Sequence, residues 1–184
     1  MEFTVNEQRI IAYIEERKVL SSLEEMKLVY GLRVVIREAK KAFVIYGISL
    51  MLGVFFQLLI VQLGFLAVRQ VAYGLHCTSF KSCLVISSIL FPFLTWVTVH
   101  STIPPSGLWF IFFASLIVLV WLGPTSSAKT KVRGKVHLQF LRKKMYARLM
   151  VVGLLLLFIP SQFGVLLVAG MAMAAALVVL AKYI

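Results

Sequence analysis

Between Lys41 and Arg69 the chain runs for 27 residues, 42–68, without a charged side chain. As a helix, that stretch exceeds the ~20 residues needed to cross the hydrocarbon of a bilayer. Residues 84–103, 108–123 and 149–181 are equally free of charge. With 61% hydrophobic residues in 184 positions, the chain is too apolar for a water-soluble core. A bilayer offers no water to backbone amides, so each segment must satisfy its own as a helix. The expected fold is an all-α polytopic membrane protein, one domain over 1–184, with N-terminal amphipathic helices and about four to six hydrophobic helices, some short or re-entrant.

Along the chain, Ile10, Ile11 and Ile14 fall on one side of a helix over residues 5–20, with Glu7, Glu15, Arg17 and Lys18 elsewhere. Ser22 and Glu25 make a capping box for a second helix, running to about Glu38 with a stripe of Leu23, Met26, Val29 and Tyr30. Residues 1–38 are too charged to span and are expected to lie on the membrane surface or pack against the spans as soluble helices do. Span A is 42–68, and a polar interval, 69–83, follows it. Span B, 84–103, ends at the turn Pro104-Pro105-Ser106-Gly107. Span C, 108–123, carries Trp109 and Trp121 near its ends, where amphipathic rings prefer to sit. Residues 129–148 hold eight Lys/Arg and are expected as a basic loop. Residues 149–181 would be ~50 Å long as one helix, so a break is expected at Pro160-Ser161-Gln162, giving a hairpin or a kinked span.

The charges are distributed unevenly. All seven acids lie in the first 38 residues, and thirteen Lys/Arg with no acid follow; the chain has no Asp and one Asn, Asn6. The absence of a carboxylate beyond Glu38 excludes an intramembrane aspartyl dyad, an HExxH zinc helix, carboxylate-held Mg²⁺ or Ca²⁺ and an acidic proton relay. No phosphate loop or GxSxG elbow is present, no cofactor is implied, and the basic excess points to topology or an acidic partner before nucleic acid. The densely charged start lacks the apolar stretch of a signal peptide. Because B and C are joined by a four-residue turn, Cys83 and the basic loop are expected on one face, the cytoplasmic one by the positive-inside bias. With Lys40 and Lys41 also cytoplasmic, span A or the interval after it is not expected to cross as a simple rod.

The interval concentrates the chemistry: Arg69, Gly74, His76, Cys77, Lys81 and Cys83. Cysteine proteolysis needs a thiolate and an imidazole that takes a proton and later returns it to the leaving group. On one continuous helix His76 and Cys83 would stand ~10.5 Å apart along the axis, so the chain must turn between them. Thr78, Ser79 and Ser82 are all suitable N-caps for a helix starting there. Cys83 would then sit in a first turn, where the helix dipole, Lys81 and an imidazolium all favour a thiolate. Cys77 is the poorer candidate, since adjacent side chains do not face each other. Competing readings are a packing thiol with a structural histidine, a Cys77–Cys83 disulfide if the interval faces outward, and a metal site on His76, Cys77 and Cys83, which lacks a fourth ligand. His100 and His137 read as structural.

The run Arg69-x4-Gly74-x-His76-x6-Cys83 after a first span, followed by a hydrophobic pair, a Lys-rich segment and an apolar end, resembles the accessory gene regulator protein B family of membrane peptidases. Those enzymes process quorum-sensing peptide precursors in Gram-positive bacteria. The resemblance implies Cys83 as nucleophile and His76 as general base. With no Asp in the chain and no Asn beyond Asn6, a third acid is not expected, the imidazole being steadied by Gln70 or a backbone carbonyl and the oxyanion held by the N–H of Cys83 or its neighbours. It also implies Arg69 and Gly74 as substrate-binding residues, with Lys129, Lys131 and the cluster Arg142-Lys143-Lys144 before Tyr146. Family members cut an acidic C-terminal tail from a small precursor and hold the peptide as a thioester until a ring closes. The implied partners are a precursor with an amphipathic leader and acidic tail, the lipid bilayer and a second copy of the chain, with no metal and no nucleic acid. This sequence departs from the family pattern at Leu75 and Cys77, where small residues are usual, and at Val132-Arg133-Gly134, where a Pro is often found. The alternative from another class is a non-enzymatic exporter subunit or scaffold.

Overall fold

The computed structural model describes residues 22–72, 79–125 and 134–183. Among these residues there are six helices and no strand: α1 (Ser22–Met51), α2 (Phe55–Ala72), α3 (Phe80–His100), α4 (Pro105–Leu122), α5 (Gly134–Phe158) and α6 (Ser161–Tyr183). Helices α2, α3, α4 and residues Ser161–Lys182 of α6 are long and apolar enough to cross a membrane, as an all-α polytopic membrane protein requires. The helix expected over residues 5–20 lies outside the described residues. Two compact units divide the chain, Met1–Val44 and Ile45–Ile184.

In the first unit α1 begins at Ser22, but it does not stop near Glu38. It continues to Met51, because Ala39, Lys40, Lys41 and Ala42 are good helix formers and Lys41 pairs with Glu38 one turn earlier. A change from charged to apolar side chains does not by itself end a helix.

The 27-residue uncharged run, expected as one span, is divided in the second unit by a helix end at Leu52–Val54. Gly53 adopts φ 69°, its N–H donates to Leu50 O at 3.1 Å, and Val54 N–H donates to Ser49 O at 2.9 Å. Those two bonds with a left-handed glycine form a Schellman cap. The Val54 carbonyl then accepts from Leu58 N–H at 2.9 Å, starting α2. The chain folds back here: the Tyr46 hydroxyl donates to Gln62 Oε1 at 2.8 Å, and Tyr46 meets Phe55 edge-on at 5.6 Å.

Helix α6 forms the middle of the second unit: 61% of its spanning window is buried, against 22–33% in the other three spans. Small residues make this possible, since Gly170 lies directly against the backbone of α2 at Val61 and Phe65, and Gly64 against the Leu167 carbonyl. Helix α3 tolerates Pro92 inside its length. Hydroxyls of Thr95, Thr98 and Ser101 bond back to carbonyls at Phe91, Leu94 and Val97, at 2.7–2.8 Å. His100 donates from Nδ1 to Trp96 O at 2.8 Å and packs on the Trp96 ring.

Residues 134–148, expected as part of a loop, are instead the first half of α5. Leu141, Met145, Leu149, Val152 and Leu156 are all buried and form one stripe that passes from the charged into the apolar half without losing register. The break near Pro160 falls at Ile159–Pro160, where the Pro160 carbonyl accepts the N–H groups of Phe163 and Gly164 at 3.0 and 3.1 Å.

The ends of the helices are fixed by their contacts. Phe65 of α2 meets Phe91 of α3 at 5.0 Å, Gly153 of α5 faces the Phe112 ring of α4, and Gly123 faces Met145. Gln57, Thr98 and Ser161 line one cavity, while Thr125 N–H donates to Ala72 O at 3.1 Å. One end thus collects the end of α2, the start of α3, the end of α4 and residues 145–148 of α5. The other collects the start of α2, the α3–α4 turn and the α5–α6 turn.

Candidate active site

Cys83 sits in the first turn of α3. Of the three possible caps, Ser79 is the one used: its backbone is extended (φ −111°, ψ 152°) and its Oγ accepts from Ser82 N–H at 3.1 Å. Ser82 reinforces the cap, its hydroxyl 3.0 Å from Ser79 Oγ and donating to Ser79 O at 3.0 Å. The Cys83 thiol is free, half-buried, and its Sγ lies 4.0 Å from Ser87 Oγ one turn on.

Of the expected oxyanion donors, the Cys83 N–H and those of its neighbours, the first is engaged. Cys83 N–H donates to Ser79 O at 3.2 Å, so it is already bonded inside the helix. Amides with no acceptor within the helix lie further toward its start, at Phe80 and Lys81. An oxyanion beside Cys83 would therefore take its donors from those two residues.

Arg69 lies in the last turn of α2, half-buried, where a cation suits the negative end of the helix dipole. Gln70 Oε1 accepts from Arg148 of α5: Arg148 Nη1 donates to Gln70 Oε1 at 3.0 Å and to Ala67 O at 3.1 Å, while His76, the imidazole that Gln70 is expected to steady, lies outside the described residues. With the Thr125 N–H on the Ala72 carbonyl, this ties the end of α2 to both α4 and α5, just before the interval. Nothing in the local sequence marks the Arg148–Gln70 pair, whose members are 78 residues apart.

Arg142, Lys143 and Lys144 are exposed on α5 between buried Leu141 and Met145, and Lys144 Nζ lies 4.5 Å from the centre of the Phe140 ring. Cys83, Arg69 and this cluster are consequently gathered toward one end of the unit, although the polar contacts that join α2 to α5 run through Arg148 rather than through the cluster. Gly74, His76, Cys77, Lys129 and Lys131 lie outside the described residues.

Chemically, the arrangement offers a half-buried thiol at a capped helix start, with backbone donors one turn before it and Lys81 two residues earlier. From residue 39 on the sequence holds no Asp or Glu.

Comparison with known proteins gives a consistent result. The sequence profile of the family Accessory gene regulator B matches residues 7–182. The chain is 27% identical over 168 residues to the accessory gene regulator protein B of Staphylococcus lugdunensis, covering 89% of this chain and 87% of that one. It is 29% identical over 172 residues to the protein of the same name in Staphylococcus carnosus, covering 90% and 88%. An AgrB-like protein of Listeria monocytogenes is 28% identical over 149 residues, covering 79% and 72%. No solved structure matches the chain.

Proposed function

Because the chain belongs to the accessory gene regulator B family, with a role in that quorum-sensing system, we propose that it is a membrane cysteine endopeptidase that matures the signalling peptide. The observation that carries the proposal is Cys83, a free thiol in the first turn of α3 behind a Ser79 cap, seven residues after His76.

In the proposed reaction His76 takes the thiol proton as Cys83 Sγ attacks the carbonyl that precedes the acidic tail of a small precursor. Negative charge on that carbonyl oxygen is met by the Phe80 and Lys81 amides, a contribution typically worth ~3 kcal/mol per donor. The C–N bond then breaks, the leaving amine takes the proton back from His76, and the peptide remains as a Cys83 thioester. An internal Cys or Ser of the peptide attacks the thioester, gives its proton to His76, and releases Cys83 with a thiolactone or lactone ring. Ring closure outruns hydrolysis because the internal nucleophile acts at high effective concentration.

Lys129, Lys131 and the Arg142–Lys144 cluster are assigned to the acidic tail, Arg69 and Gly74 to the segment around the scissile bond. The site faces the cytoplasm, and the bilayer holds the amphipathic leader of the precursor. A second copy of the chain is the expected assembly partner.

Cleavage of the cognate precursor in membranes tests the assignment. Cys83→Ala and His76→Ala are expected to be inactive, while Cys77→Ala retains much of its activity. Full activity in Cys83→Ala with loss of activity in Cys77→Ala would overturn the assignment of the nucleophile.

A further inference from the structure

A groove of about 950 Å³ opens along α2, α5 and α6, separate from Cys83. Twelve of its fourteen lining residues are apolar, among them Leu63, Leu66, Val151, Leu155 and Phe163, and the two polar ones, Gln70 and Arg148, lie together at one end. Those five apolar side chains are 41–63% exposed. Two of the walls, α2 and α6, are long and apolar enough to cross a membrane, and in a crossing of those helices the groove opens sideways into lipid.

Arg148 marks the boundary of α5 between its basic half, with Arg142, Lys143 and Lys144, and the uncharged residues 149–158. Its guanidinium is held by two neutral acceptors, Ala67 O and Gln70 Oε1, and no carboxylate pairs with it among the described residues. From Arg148 to Ile159 at the far end, eleven residues of helix measure ~16 Å, about half of the ~30 Å hydrocarbon thickness. The groove is therefore one leaflet deep, charged at headgroup level and without hydrogen-bonding groups below it.

We propose that this groove is a binding site for an anionic phospholipid, whose phosphate meets Arg148 beside the Arg142–Lys144 cluster and whose acyl chain lies along Leu66, Val151 and Leu155 toward Pro160. Basic pockets between spanning helices are suited to anionic headgroups. An extended peptide is a poorer occupant, since its amides would find no acceptors among the apolar walls. The lipid in turn braces α5 against the end of α2, and the site does not depend on the peptidase reading.

The test is native mass spectrometry of the purified full chain in detergent, titrated separately with phosphatidylglycerol and phosphatidylcholine. One phosphatidylglycerol is expected to be retained with a roughly fivefold preference, the effect of about one favourable cation near the phosphate. R148Q should abolish the preference and R148K should keep most of it. V151W, which fills the groove without touching the Arg148 hydrogen bonds, should lose the lipid while its circular dichroism stays that of wild type. Unchanged affinity in V151W would mean that the groove holds something else, such as a peptide helix, and would overturn the proposal. So would equal retention of the two lipids by the wild type, or an undiminished preference in R148Q.

Discussion

Gly170→Ala is expected to loosen the crossing of α6 with α2. A methyl group at Gly170 would be driven against the Val61 carbonyl and to 2.8 Å from the Phe65 amide nitrogen. Both obstacles are backbone, so no rotamer change relieves them, and the helices must part by on the order of 1 Å to restore ordinary contact. Around that crossing Val61, Val68, Val168 and Met171 are at most 1% exposed, so parting the helices also costs their packing. Overpacking of this kind costs ~2–3 kcal/mol; the better helix propensity of alanine returns about 1 kcal/mol. The net loss of about 1–2 kcal/mol corresponds to a fall of roughly 2–8 °C in Tm for a chain of this size. Gly47→Ala is the control, since nothing lies within 4 Å of its Cβ position and it should leave Tm unchanged or raise it slightly. Thermal unfolding of the purified proteins in detergent, followed by near-ultraviolet circular dichroism, measures both. Gly64→Ala, facing the Leu167 carbonyl, should behave like Gly170→Ala, and the double variant should cost less than the sum because one separation accommodates both methyl groups. If Gly170→Ala matched Gly47→Ala in stability, the close α2–α6 crossing would be wrong.

Ser79→Ala removes the cap that holds the first turn of α3, a loss of about 1 kcal/mol; precursor cleavage should fall by about fivefold, and Ser79→Asn, which can still accept the Ser82 N–H, should restore it. Lys129→Glu with Lys131→Glu should weaken cleavage without preventing membrane insertion, and raised salt should weaken the wild type likewise, because exposed charges act over a Debye length of only ~8 Å. Partial rescue by charge reversal in the precursor tail completes that test. In a cysteine-free background, single cysteines at positions 79 and 127 should be labelled from the same side of the membrane.

The fold class was legible because charge is so unevenly placed: no carboxylate follows Glu38, and four long stretches carry no charge. The helix end at Gly53 is only weakly marked in the sequence, by a glycine after Leu-Met-Leu. A 27-residue uncharged run also suits one tilted crossing, and the fold-back is stabilised by Tyr46 reaching Gln62 across 16 residues, which no local pattern reveals. In the basic segment the charge points to a loop, while the four-residue spacing of Leu141, Met145 and Leu149 carries the helix through it.

At the candidate site, Cys83 and its capping residue could be anticipated because both belong to a short local motif. Arg148 could not, since its importance rests on packing α5 against the end of α2. The commitment of the Cys83 N–H to Ser79 O likewise follows only from which of the three possible caps is used.

The central claim is a covalent bond between Cys83 and the precursor, and intact-protein mass spectrometry tests it most directly. Membranes containing the chain are mixed with a precursor whose internal Cys or Ser is replaced by Ala, so that the ring cannot close. The chain should gain the mass of the precursor without its tail, on the peptide containing Cys83, and hydroxylamine should remove the adduct as it does a thioester. Cys83→Ala should gain nothing. An adduct that survives hydroxylamine, an adduct on another residue, or tail removal by Cys83→Ala would contradict the mechanism.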